Sequence, residues 1–412
     1  MNSRMRRHLL SMIMAACGSF AFASSAGADT ASFVDLELGA GISSNPLLQL
    51  DGRSSGFGRI SAFGLHEWRS ELGSTKLTGY VESDTYLKHY GSKQIFDLKA
   101  HTDRAVSPTV KVYGDLDFSG DFSGQLSNRV ISVPDQPVVP DPSNPLPPTS
   151  SNPNLVGLAG RQYRLLGQVG TAIQSSSKST VSLGAGAERL FFTGANKPAN
   201  YSLFFGNVGY SHELNERTSL GGSVFVQRQD FKGSDYANII NPAVKLRTQL
   251  RENLSVDLAA GLLAIDQRVA GEKEHSVSPS FSAALCSEGT VSRLCGRFSR
   301  DAQSALGTAL ANRGGRASVT TSGSLDYYRR IKTGEAIQAS FSGVRYSAPD
   351  NLAGEKTGST YLSAVVRYDR KVGNRLSLGA AVGARKLYQG GPDPDLDFNG
   401  TLSLRYRIGD VQ

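Results

Sequence analysis

The chain has 412 residues, of which 39% are apolar and 19% charged, with 45 glycines, three cysteines and a formal charge of +8. No stretch stays apolar for the roughly 18 residues that a membrane helix needs, which excludes a helical membrane protein. A membrane protein built from strands stays open, because alternating strands hide their apolar residues from any averaged hydropathy.

The N-terminus reads as a secretion signal over residues 1–28. Arg4, Arg6 and Arg7 supply a positive region, Leu9 to Ala16 a short apolar core, and Ala26-Gly27-Ala28 small residues for cleavage before Asp29. Met14-Ala15-Ala16-Cys17 is the rival site, a loose lipobox that would make Cys17 a lipidated first residue. Removing the three signal arginines takes the charge from +8 to +5. Such a balance points to anionic ligands such as lipopolysaccharide, or to basic residues that balance acidic neighbours inside a pore. An exported chain gives no reason to expect nucleic acid.

From Phe33 onward, runs of about ten residues alternate apolar and polar side chains and end in a turn. In chain order the runs are 32–42, 56–68, 75–88, 93–104, 109–121, 161–174, 180–193, 200–213 and 218–231. They continue 237–250, 254–267, 276–286, 293–301, 317–330, 335–347, 358–371, 375–388 and 396–408. That is eighteen strands, or sixteen if the least regular runs, 55–68 and 293–301, do not count. In the last run Phe398, Gly400, Leu402, Leu404, Tyr406 and Ile408 share one face, and Asn399, Thr401, Ser403, Arg405 and Arg407 the other. The pattern predicts an all-β fold for residues 29–412: a transmembrane antiparallel up-and-down β-barrel in the outer membrane, with lipid outside and water inside.

The connections divide into two kinds. Val208 to Gly221 and Val366 to Gly379 share a strand end, a polar turn and a new alternation; Val244 to Asp257 and Ala100 to Val112 are weaker copies. These predict short periplasmic turns. Residues 43–54, 121–160, 271–275, 301–316 and 348–357 predict longer outer loops. The segment 122–160 carries a proline-rich stretch, with eight of the sixteen prolines between Val133 and Pro153, which cannot join a ladder. It reads as a long extracellular loop.

Cys286 and Cys295 fall on the inward register either side of a turn, which predicts a structural disulfide in an oxidising compartment. Inward alternation also places Glu82, Asp84, Asp97, Asp115 and Asp117 on early strands, among Lys76, Lys99 and Lys111. Later strands bring Lys245, Arg247, Arg293, Arg297, Arg330, Arg367, Arg385, Arg405 and Arg407 inward, with Asp257 and Asp326. Wrapped into a cylinder, these predict an acidic arc facing a basic one across the lumen. Tyr210, Tyr368, Tyr406, Phe118, Phe191 and Phe398 are candidates for aromatic girdles, and Trp68 also lies at a strand end. The five histidines after the signal are His66, His89, His101, His212 and His275; none lies in a nucleophile motif, so neither an enzyme nor a cofactor or metal site is expected.

With its export signal, the Ser44-Asn45-Pro46 segment and the repeated turn signature, the chain resembles the outer-membrane β-barrel porins of Gram-negative bacteria, in particular barrels associated with exopolysaccharide production. The resemblance implies an outer-membrane location and polysaccharide passage; together with the strand pattern and lumen charge it leads to the expectation of a porin-like channel for polysaccharide or small polar solutes. The partners expected of such a barrel are outer-membrane lipid and lipopolysaccharide, the barrel-assembly machinery and polysaccharide export components, with no nucleic acid. A non-conducting surface or adhesion barrel is the alternative, and an outer-membrane hydrolase a third. The ending Arg407-Ile408-Gly409-Asp410-Val411-Gln412 departs from the terminal aromatic of such barrels. The oligomeric state is not legible.

Overall fold

In the computed structural model every regular element among the described residues is a strand. Those residues are 29–121, 161–193, 200–231, 235–269, 271–305, 316–347, 359–388 and 392–409. The first nine strands are β1 (Asp29–Ser43), β2 (Ser55–Ser70), β3 (Gly73–Tyr86), β4 (Ser92–Ser107), β5 (Val110–Asp121), β6 (Arg161–Ser176), β7 (Ser179–Thr193), β8 (Tyr201–Asn215) and β9 (Thr218–Phe231). The other nine are β10 (Tyr236–Arg251), β11 (Leu254–Val269), β12 (Glu272–Glu288), β13 (Ser292–Ala305), β14 (Arg316–Lys332), β15 (Glu335–Ser347), β16 (Ser359–Lys371), β17 (Leu376–Tyr388) and β18 (Asp397–Gly409). Each pairs antiparallel with its sequence neighbours, and β1 also pairs with β18. The sheet is thus a closed up-and-down barrel of eighteen strands, the larger of the two expected counts.

Closure follows from the alternation. A sheet with one apolar and one polar face can stay in lipid only if no edge is left unpaired and every polar face turns inward. Along the β1–β18 seam Leu36 stands opposite Tyr406 and Leu38 opposite Leu404, facing out, while Asp35 stands opposite Arg407 and Glu37 opposite Arg405, facing in. A slip of either strand by one residue would turn its two charges of these pairs toward lipid, so the register is strongly specified.

All eight connections at one end are two to four residues long. The four related turn signatures all lie there, between β4 and β5, β8 and β9, β10 and β11, and β16 and β17. Connections at the other end run up to 39 residues, the asymmetry of a barrel whose long loops face outward. Tyr210, Tyr368 and Tyr406 lie on the lipid-facing register near the short turns, and Phe118, Phe191 and Phe398 near the long loops.

Three expectations change. The connection placed at 271–275 is only 270–271, since β12 begins at Glu272. The loop placed at 301–316 is shorter, because β13 runs on to Ala305 and β14 starts at Arg316. Residues 389–396, not singled out from the sequence, join β17 to β18. The signal segment 1–28, Cys17 within it and the proline-rich segment 122–160 lie outside the described residues.

Candidate functional site

Among the described residues the barrel wall parts along the β12–β13 seam. β12 and β13 pair only from Glu288↔Arg293 to Phe281↔Arg300, whereas β12 pairs with β11 over its whole length to Glu272. Above Phe281, toward the long loops, β12 has no ladder partner on its β13 side among the described residues. Pro279 sits two residues beyond the last pair. Proline has no N–H to donate, and inside sheets it is confined to edges and irregularities, so the ladder ends where the sequence removes a donor.

The upper part of the β13–β14 hairpin, with β14 still paired to β15 as far as Val319↔Ser347, parts from β12 and lies inside β10 and β11. Ala302, Ala317 and Val319 occupy register positions that face lipid elsewhere in the barrel, yet Ala317 is 0% and Val319 1% exposed. They pack against Ile239 on β10 and Leu263 and Ile265 on β11, which face the lumen. The backbone N–H of Ala317 donates to Oε1 of Gln267 on the inner wall at 3.0 Å, and Nδ2 of Asn241 reaches Oδ1 of Asp301 at 3.4 Å. The same apolar cluster continues along the wall through Leu190, Phe192, Tyr201 and Phe231. Apolar side chains facing inward on β7 to β11 break the polar-inside rule, and the β13–β14 hairpin packs against those of β10 and β11.

A second inward element lies on the opposite arc. Residues 44–54, between β1 and β2, turn into the mouth, and Leu48 packs against Tyr361 of β16 and Leu387 of β17. Leu48 has φ 48, a left-handed conformation that bulky residues avoid; the packing and hydrogen bonds on either side hold it there. Asn45 closes the turn with its own side chain: Oδ1 accepts from the Gln49 N–H at 3.0 Å and Nδ2 donates to the Gln49 carbonyl at 2.9 Å. The chain returns over Asn45 at Gly52, where any Cβ would lie 2.1 Å from the Asn45 side chain. Ser44-Asn45-Pro46 is therefore an anchoring turn.

Asp397, at the start of β18, ties this loop to the wall. Fully buried, it accepts from the Ser43 hydroxyl at 2.6 Å, the Asn45 N–H at 2.9 Å and Nε of Arg385 at 2.9 Å. Arg385 also donates to the Pro46 carbonyl at 3.1 Å. Nearby, Arg59 makes a bidentate pair with Asp84 at 2.7 and 2.8 Å and lies 3.6 Å from Glu82. Tyr80 donates to Glu82 at 2.6 Å. Lys93 stands directly opposite Asp84 and is buried with it.

All the predicted lumen charges lie on the inward register, and many of them are paired locally with an opposite charge. Barrel closure puts carboxylates of β1 against arginines of the last strands: Arg407 pairs bidentately with Asp35 at 2.7 and 2.8 Å, and Glu37 takes Arg405 at 2.9 Å and Arg367 at 3.4 Å. Arg367 also holds Asp369 at 2.8 Å, in space left by Gly379, whose Cβ would lie 2.9 Å from the guanidinium. On the early strands Arg164 bridges Glu188 at 2.8 Å and Asp117 at 3.3 Å, and His101 meets Asp115 at 2.6 Å. Lys99 pairs with Asp97, Arg247 with Asp257, Arg293 with Glu288 and Arg297 with Asp326. Local neutralisation wins because charges against a low-dielectric wall repel strongly unless paired. Arg330 donates to the Thr290 carbonyl at the short-turn end. Lys245 faces Gly221 and Ala259 and has no carboxylate partner among the described residues.

Cys286 and Cys295 stand opposite each other below the broken seam and are joined by a disulfide. It clamps β12 to β13 next to the turn, while the strands part further up. Among the described residues no three His, Cys, Asp or Glu side chains come together as a metal site. His212 lies on the lipid-facing register beside Ser179, at 2.9 Å, with Tyr210 at 3.1 Å from the same hydroxyl.

A closed eighteen-strand barrel with an apolar outer belt, aromatic residues at both ends and a charged interior defines the class: the protein is an outer-membrane β-barrel. No family model and no curated protein sequence matches the chain. Among solved structures it is similar to OccK2 (OpdF) of Pseudomonas aeruginosa, at 12% identity over 93% of this chain and 99% of that one, with a TM-score of 0.45. It is also similar to the copper transporter OprC, at 10% identity over 92% and 80% of the two chains, TM-score 0.46. Against the ferric citrate transporter FecA in its unliganded form it has 9% identity over 87% and 60%, TM-score 0.45. These likenesses are distant, and the assignment rests on the barrel itself.

Proposed function

We propose that the protein is a channel for small polar solutes, gauged at its outer mouth by the β13–β14 hairpin and by residues 44–54. The observation that carries this reading is the lumen lining. Eighteen strands are wide enough to leave an aqueous path, and ion pairs with Ser and Thr between them line it. Two elements folded in from nearly opposite arcs narrow that path without removing its polar floor. Such a mouth suits molecules of sugar or amino-acid size. Passage of a polysaccharide chain, the larger cargo that the sequence resemblance implies, would need the hairpin to move aside.

Swelling of liposomes containing the purified protein tests this. Pentoses and hexoses should enter readily and oligosaccharides progressively more slowly. Equal entry of long maltodextrins would favour polysaccharide passage, and no entry of any sugar would favour a non-conducting surface barrel.

A further inference from the structure

On the lipid-facing side of the broken seam, the outer ends of β10, β11 and β12 carry a row in which Tyr236 stands opposite Arg268 and Arg268 opposite Lys273. Like charges directly opposite each other destabilise a ladder unless an anion lies between them. Neither side chain pairs with a carboxylate among the described residues, and Nε of Arg268 is buried without a hydrogen-bond partner. The nearest outward acids are otherwise engaged or one step away: Asp230 is 3.0 Å from Arg228, and Asp266 stands opposite His275.

The height of this pair matches a headgroup layer. The outward residues of β12 are Leu285, Ala283, Phe281, Pro279 and Val277, a continuous apolar belt, followed by His275 and Lys273. The paired cations therefore sit just above the hydrocarbon, on the long-loop side, beside the stretch of β12 that has no strand partner on its β13 side. Arg300, outward on β13, marks the point where that strand turns in.

We propose that this patch binds the phosphate group of an outer-leaflet lipid, whose headgroup bridges Arg268 and Lys273 and whose acyl chains lie on the outward apolar face of β12. A phosphate satisfies both cations at once, since a guanidinium presents a planar fork to it and an ammonium a point charge. The acyl chains then lie along Val277, Pro279 and Phe281, the apolar outward side chains of β12.

The test uses full-length protein in nanodiscs of phosphatidylcholine, titrated with diphosphorylated lipid A and read by native mass spectrometry and thermal unfolding. Wild type should retain one lipid A and gain several degrees in unfolding temperature, whereas fully dephosphorylated lipid A should do neither. The double variant Arg268→Gln/Lys273→Gln should bind at least five-fold more weakly. Lys386→Gln, an outward cation on β17 far from the seam, should bind like wild type. Equal retention of dephosphorylated lipid A, undiminished binding by the double variant, or an equal loss in Lys386→Gln would overturn the proposal. The comparison of the two lipids on wild-type protein needs no variant to fold.

Discussion

Replacing Asp397 with alanine removes the carboxylate on which the loop 44–54 and the wall converge. Asp397 is 0% exposed and the Arg385 side chain 11%, so solvent screens neither charge appreciably. Breaking such a buried pair by removing one partner costs about 3–5 kcal/mol. Hydrogen bonds from the Ser43 hydroxyl and the Asn45 N–H are lost with it. Asp397→Asn keeps an acceptor for both and should cost less than Asp397→Ala. Equilibrium urea unfolding in detergent, followed by the fluorescence of the single tryptophan, Trp68, measures the difference. The loop should also leave the mouth, raising channel conductance. A cost under about 1 kcal/mol with unchanged conductance would refute the assignment of Asp397 as the loop's anchor.

Four further outcomes are expected. Leu48→Ala should destabilise the protein by about 2–4 kcal/mol, because it empties the contact with Tyr361 and Leu387, and should loosen the same mouth; urea unfolding reads the first effect and conductance the second. Ala317→Arg should force the β13–β14 hairpin off the inner wall, where Ala317 is fully buried, and protease cleavage within residues 301–320 should speed up markedly. Lys245→Glu should shift the reversal potential in a salt gradient toward cation preference, since Lys245 is a lumen cation with no carboxylate partner among the described residues. Cys286→Ser/Cys295→Ser should cost about 2–3 kcal/mol in the chain-entropy model for so short a loop, without changing conductance, because the clamp lies below the point where the strands part.

The wall was legible in the chain because period-two alternation is a local property. Phe398 to Ile408 declares its two faces without knowing its neighbours. Inward charges were legible for the same reason. Their partners were not, because pairing depends on which strands meet: Glu37 and Arg405 lie 368 residues apart and come together only when the barrel closes. Arg405 and Arg407, read from the chain as part of a basic arc, are neutralised locally once β1 brings Asp35 and Glu37 against β18. The folded-in hairpin was hidden for a different reason. Ala302, Ala317 and Val319 alternate like any lipid-facing set, and alternation does not distinguish lipid from the apolar inner face of another strand. Two signals were available: Pro279 inside a strand, and the inward apolar residues Ile239, Leu263 and Ile265 where polar ones are the rule. Loop 44–54 carried a signal too, in Asn45 and Pro46, but the left-handed turn at Leu48 exists only because Tyr361 and Leu387 receive it.

Single-channel conductance in planar bilayers tests the central claim most directly, with wild type compared against a variant in which residues 303–318 are replaced by a two-residue turn. If the hairpin gauges the mouth, the variant should conduct at least twice as well as wild type and admit oligosaccharides that wild type excludes. Equal conductance in the two proteins, or none in either, would contradict the account.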